Sequence, residues 1–385
     1  MTTTDDNLTA GDDDCTLWEA IANANADSDT TGGDCAAGSG VDTVMVPAGT
    51  YTLTLSGAGE DGNLSGDLDL TDADATTIQG EDTRTTLIDG DAADTVIDVA
   101  GGAVAVLNDL TLQDGFGSRG EVAGGGLFGN SGSDITLRRV RITGNTTSSG
   151  RDAAGIGGDG LTLTIDECLI DNNIAAEDGG GLELGGTITN TTISNNVGRV
   201  GGGLRLLSGT LTLVNVTVTG NRTTNGVGGG LARSAGTLEY QGSIIASNVG
   251  PDGTSPQDCG GVVSSLGGNL LGQNGDPQGC MVGMDTVLDG DISTAIDVTL
   301  ADNGGPTDTH ALVTDGPAVD QIPDGMLGCG TTIISDQIGT SRLGTCDIGA
   351  FEIPPVPIPM LPEWGLTLLL LGVGVVGFVV LRRAA

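Results

Sequence analysis

GGGLRLLSGTLTLVNVTVTGNRTTNGVGGGL, Gly201 to Leu231, opens and closes on the same four residues, set twenty-seven positions apart. Between the two copies of GGGL, apolar residues alternate with Thr and Asn, which is the period-two pattern of short strands. A strand pattern nested in a repeat of that length indicates a solenoid, each repeat being one coil that buries its apolar face only against its neighbours.

The same unit extends outward in both directions. LQDG, ITGN, IDNN, ISNN, VTGN and IASN fall in one column and end at Gly115, Asn145, Asn173, Asn196, Asn221 and Asn248, at spacings of 30, 28, 23, 25 and 27. Three positions before each closing residue stand Leu112, Ile142, Ile170, Ile193, Val218 and Ile245. Two positions earlier come Leu110, Val140, Cys168, Thr191, Val216 and Ser243, and three earlier again Leu107, Leu137, Ile165, Ile188, Leu213 and Tyr240. A further column, Leu127, Ile156, Leu182, Leu204 and Leu231, follows the Gly run.

These columns predict an all-β, right-handed parallel β-helix with about three short strands per coil and neighbouring coils about 4.8 Å apart. GGGL is read as a corner where Gly supplies backbone angles closed to other residues, with Leu the first side chain back inside. The recurring Asn145, Asn173, Asn196, Asn221 and Asn248 are read as turn residues that tolerate left-handed geometry and stack into a ladder. The rival Gly-rich solenoid, a calcium-binding β-roll, requires a nine-residue GGxGxDxUx repeat that the sequence lacks.

Composition agrees with a core of stacked small aliphatics, since 69 residues are Gly and only 2% are aromatic. The formal net charge is −38, and all 13 basic residues are Arg. Such a surface repels phosphates, which argues against nucleic acid as a partner. No cofactor is expected, with Ca²⁺ the natural cation for so acidic a chain. Cysteines at 15/35, 259/280 and 329/346 form three sequence-near couples, read as disulfides of an exported protein.

Arg138 and Arg139 fall at the outward bend above Asp166 and Glu167, and Glu183 and Arg205 repeat the arrangement after GGGL. Both are read as rung-to-rung ion pairs. The bend columns gather no run of carboxylates on consecutive coils, which leaves Asp152, Asp159, Glu177 and Asp178 in loops as candidates for paired-acid chemistry. Cys168 lies in an inward aliphatic column and is read as an inert buried thiol. His310, the one histidine, has no nucleophile motif beside it and is read as structural.

Three stretches carry resemblances. CTLWEAIANANA (15–26), with SGDLDLTDADATTIQGEDTRTTLIDG (65–90), resembles the CSLREA domain, with Trp18 where that motif has Arg. SLGGNLLGQ (265–273), the 300–320 segment, SDQIG (335–339) and CDIGAFE (346–352) resemble the choice-of-anchor Q region, with Ile338 where Arg is common. IPMLPEWG (358–365), through Ile358, Pro359, Glu363, Trp364 and Gly365, resembles the IPTL-CTERM and related PEP-CTERM sorting tails, with Met360 and Pro362 in place of Thr and Ser. That last resemblance implies an exosortase-type processing enzyme as a partner and delivery to the surface of a Gram-negative bacterium.

Sixteen apolar or small residues, Leu366 to Leu381, precede Arg382 and Arg383. They predict a transmembrane helix of about 24 Å that anchors the protein in the membrane and leaves 1–353 outside the cytoplasm. MTTTDDNLTAGDDD has neither a basic nor an apolar signal region, so Met1 is expected to be an internal codon with the signal peptide upstream.

The expected organisation is a CSLREA-like cap and first coils over 1–80, β-helix repeats over 81–257 and choice-of-anchor coils or cap over 258–353. A Pro-rich linker with the sorting motif follows over 354–365, then the membrane helix with its Arg tail over 366–385. The expected role is a non-catalytic surface protein in structure, adhesion or contact with extracellular polysaccharide. The alternative is a polysaccharide lyase or glycoside hydrolase of the β-helix type.

Overall fold

Alternating aliphatic and hydroxyl side chains leave each coil with one face to bury, and parallel stacking of identical columns buries it. The computed structural model describes residues 1–57, 59–118, 122–272, 279–280, 285–287 and 291–354. The first sheet has nine parallel strands, from Asp42–Val46 to Ser264–Gly267, and the second has ten, from Gly49–Thr52 to Thr286–Val287. A third is made of a four-strand run, Leu68–Leu70 to Ile156–Gly158, and a three-strand run beginning at Leu204–Leu206. Bridges through Leu182 join the two runs.

The register follows the sequence columns. In the first sheet Leu107, Leu137, Ile165, Ile188, Leu213 and Tyr240 lie in line, and in the second Leu112, Ile142, Ile170, Ile193, Val218 and Ile245. All twelve are buried in one continuous core. At the bend joining the two sheets, the second residue of each coil adopts a left-handed backbone, with φ of 55° at Asp109, 51° at Arg139, 55° at Glu167, 44° at Asn190 and 52° at Asn215.

The closing Asn column differs from expectation in one respect. Left-handed geometry belongs to the residue before it, Asn172 (φ 56°), Asn195 (59°) and Ser247 (61°) among them. The ladder asparagines themselves are fully buried. Asn145 Nδ2 donates to Asn173 Oδ1 at 2.9 Å, Asn173 to Asn196 at 2.9 Å, Asn196 to Asn221 at 3.0 Å and Asn221 to Asn248 at 2.9 Å. Each second amide proton goes to a backbone carbonyl of a neighbouring coil, such as Ile142 for Asn173 and Ile170 for Asn196. Asn248 donates to Asp258 Oδ1 at 2.9 Å, which closes the series. A buried amide needs every donor and acceptor filled, and the coil repeat supplies them all.

The N-terminal end of the core is covered by a ten-residue helix, Leu17–Ala26. Thr16 and Glu19 form a capping box, and Leu17, Trp18, Ile21 and Ala24 face the coils. This helix was not anticipated from strand periodicity.

The 258–353 region does two different things. Cys259–Gly260, Ser264–Gly267, Leu270–Leu271 and Thr286–Val287 continue the coils. Residues 291–353 instead fold back as a strap along the outer face of the second sheet. Ile244, Ala246 and Leu270, which point outward, are buried in a second core with Ile292, Ile296, Leu312, Ile322, Ile348 and Phe351. Consecutive apolar residues in the second-sheet strand Ile244–Ala246 break the strict alternation, because both of its faces are covered.

One expectation is corrected. The described residues form an all-β parallel solenoid, and no helix among them is long and apolar enough to cross a membrane, so the membrane helix is not part of the fold described. Residues 366–385 and the motif residues Ile358, Pro359, Glu363, Trp364 and Gly365 lie outside the described residues.

Candidate functional site

The shortest coil makes the most distinctive feature of the surface. From Leu182 in the third sheet to Ile188 in the first the chain takes six residues, where Ile156 to Ile165 and Leu204 to Leu213 each take nine. Glu183, Leu184, Gly185 and Gly186 cut the corner, and the loops of the flanking coils, Gly158–Thr162 and Leu207–Thr210, stand proud on either side. The result is an open notch of about 420 Å³ lined by Gly, Thr, Ser208, Leu161, Leu184, Asp159 and Glu183.

The notch opens onto a column of outward hydroxyls on the first sheet. Thr136, Thr164, Thr187 and Thr212 pair in register on four consecutive rungs, with Thr162 and Thr210 beside them. Thr164 and Thr187 are exposed.

Behind the notch the structure gathers carboxylates around Arg205. Its Nη1 contacts Asp178 Oδ2 and lies 3.4 Å from Glu183 Oε2 and 3.6 Å from Asp152 Oδ2. Asp178 also takes Arg199 Nη2 at 3.1 Å, and the Arg199 Nε is 2.5 Å from Glu177. The backbone N–H of Asp178 donates to Asp152 Oδ1 at 2.9 Å. Burial, followed by repulsion from Asp152, pushes the Glu183 carboxyl up to about 8, against the opposing pull of Arg205. The carboxyl therefore holds its proton to higher pH than an ordinary Glu, although its side chain is buried. Burial raises Asp178 as well, with Arg205 and Arg199 pulling the other way.

Of the four loop acids picked from sequence, the structure brings Asp152, Glu177 and Asp178 into this network and leaves Asp159 exposed on the notch wall. Glu183, read from sequence as a partner of Arg205, is the most strongly shifted of these acids. Its signal was the three-residue deletion in its own coil.

The other charged bend is a clamp. Arg139 makes two bonds to Asp109 on the preceding rung, at 2.5 and 2.7 Å, and Arg138 reaches Glu167 at 3.2 Å. Asp166, which faces Arg138 in register, instead accepts from Asn190 Nδ2 at 3.4 Å. Left-handed backbone at Arg139 and Glu167 aims these side chains along the stack, across rungs.

Sequence reading missed a stacked acid pair. Asp69 and Asp98 stand in register on adjacent rungs of the third sheet, both buried, with Asp61 within 4.8 Å. The triplets LDL (68–70) and IDV (97–99) carried the signal, as the column of Leu127 and Ile156 runs back through them.

Cys168 is buried, and loss of hydration pushes its thiol up to about 12. His310 is buried on the inner face of the strap, where Nδ1–H donates to the Asp297 carbonyl at 2.9 Å and Nε2 accepts from the Ser194 hydroxyl of the coils at 2.9 Å. Burial lowers its pKa, so it is a neutral clip between strap and coil. The bonded cysteine pairs are Cys15–Cys35, Cys259–Cys280 and Cys329–Cys346.

A few polar residues hold the strap. Gln337 Nε2 donates to Thr307, and Gln337 Oε1 accepts from Thr192 of the second sheet at 2.7 Å. Arg342 is fully buried, bonded to Glu352 at 2.9 Å and to the Asp347 and Gly349 carbonyls. The Gly349 and Ala350 N–H groups donate to Gly242 O and Thr217 Oγ1 of the coils. At the far end of the strap Arg84 pairs with Asp302 at 3.0 Å and Asp308 at 2.5 Å.

No protein-family model matches the chain, and no curated protein matches it. The class that fold and site define is a parallel β-solenoid with three disulfides, which point to an oxidising, extracytoplasmic environment.

Proposed function

We propose that the protein is a non-catalytic, extracytoplasmic scaffold that makes structural or adhesive contact with polysaccharide at the cell surface. The observation that carries this reading is the open flank of the first sheet, where the register-aligned Thr136, Thr164, Thr187 and Thr212 lead into the notch of the shortest coil. Hydroxyls repeating at about 4.8 Å offer donors and acceptors to an extended polar chain at low entropic cost, because the sheet already fixes them. Delivery to the surface by an exosortase-type enzyme is part of the proposal and rests on the resemblance of 358–365 alone.

A glycan array probed with the purified protein tests it. Binding to at least one extended polysaccharide that weakens in a Thr164→Val/Thr187→Val double variant is the expected outcome. Unchanged binding in that variant moves the contact elsewhere, and no binding to any glycan removes the polysaccharide role.

The second reading is a β-helix polysaccharide hydrolase or lyase, favoured by Glu183, whose carboxyl burial pushes up, beside Asp152 and Asp178. In that reading Glu183 is the acid, and Asp152 or Asp178 is the base or nucleophile. New reducing ends or unsaturated products that appear with the native protein and vanish in Glu183→Gln would establish it in place of the first reading.

A further inference from the structure

The notch does not use the acids at the opposite, N-terminal end of the solenoid. There the chain passes the same point three times: in the Asp12–Asp14 loop, at the first turn of the Leu17–Ala26 helix and at Asp34 next to the Cys15–Cys35 disulfide. One oxygen from each of Asp12, Glu19 and Asp34 lies within 4.8 Å of the other two. Two oxygens bound to one Ca²⁺ at 2.3 to 2.6 Å are separated by at most about 5 Å, so this spacing is that of a shared ion.

Glu19 supplies an independent reason. The residue is 1% exposed, and its Oε2 accepts the Thr16 N–H of the capping box at 3.1 Å. Its other oxygen, Oε1, is buried and has no hydrogen-bond partner among the described residues. A buried carboxylate oxygen left unpaired is costly, and two further carboxylates beside it raise that cost. Asp34 is held in place by N–H donors from Gly11 at 2.5 Å and Asp13 at 2.9 Å, so its position does not depend on an ion. Asp12 is exposed, which leaves room for water to complete the shell.

We propose that Asp12, Glu19 and Asp34 bind a Ca²⁺ ion that ties the N-terminal loop and the disulfide loop to the capping helix. The ligand set is all oxygen. Cys15 and Cys35 are bonded to each other, and the one histidine, His310, is buried in the strap against Ser194 and Asp297, so a hard cation is preferred over zinc or copper.

Tb³⁺ titration of the full chain tests this, with Trp18 next to Glu19 as the sensitising ring. The expected result is saturable emission that Ca²⁺ displaces, with affinity weakened about tenfold or more in Asp12→Asn and in Glu19→Gln. Asp42→Asn, in a separate acid group with Asp27 and Asp72, serves as the control and should leave it unchanged. Absence of saturable emission overturns the proposal, and so does emission that survives Asp12→Asn intact. Asp12 is an exposed loop side chain, so that variant keeps the test valid if Glu19→Gln disturbs the helix cap.

Discussion

The two flanks of the solenoid are built from the same strands and end differently. Outward residues of the first sheet, Thr164 and Thr187, meet solvent, whereas Thr192, Ser194, Thr217 and Ile244 of the second are buried under the strap. Identical interior columns therefore support one covered face and one open one. What decides between them is the 291–353 segment and the few polar groups that fasten it.

The sharpest way to break the contrast is to release the strap. Arg342→Ala should destabilise by about 3–5 kcal/mol, because Glu352 and two carbonyls lose a buried partner. Hydrogen exchange should then rise at Thr192 and Ser194 and stay unchanged at Thr164. Equal rises on both flanks would show that the strap holds the whole stack.

A lesion in the shared interior should affect both flanks alike. Asn196→Ala orphans the Asn173 amide donors and the Ile170 carbonyl, and denaturant titration should show a loss of about 2–4 kcal/mol. Replacing Cys329 and Cys346 by Ser should cost about 2–3 kcal/mol, confined to the strap side in exchange measurements.

A pH series separates the flanks chemically. Glu183, at about 8, and Glu352, at about 7, are both raised above the unfolded carboxyl value, so the native state holds protons that the unfolded chain has released. Their contribution is full below about pH 4.5 and is lost as pH rises towards 8. Denaturation midpoints of the native protein should fall over that window. Glu183→Gln should flatten the open-flank part by on the order of 1–3 kcal/mol. The smallest effect belongs to Thr164→Ala, which should stay within about 0.5 kcal/mol because the hydroxyl is exposed.

The coil register was readable because each column repeats one physical demand. Leu112 through Ile245 all answer to the same inward position, and the bend residues Asp109 through Asn215 to the same left-handed one. The strap was not readable, since its contacts join residues such as Gln337 and Thr192 that share no period. The helix over Leu17–Ala26 escaped for a related reason, as it occurs once and terminates the pattern. Asp152, Glu177 and Asp178 were visible as loop acids, but their meeting at Arg205 depends on how far the short coil at 182–188 withdraws. Asp12, Glu19 and Asp34 converge only through the disulfide and the helix, which periodicity does not report.

The asparagine ladder has a direction. In every member the amide nitrogen points to the next coil and the oxygen to the previous one, so five side-chain dipoles from Asn145 to Asn248 add head to tail. The nitrogen end of the series terminates on the buried Asp258 carboxyl. Coils that look interchangeable thus form a stack whose two ends are electrically unlike.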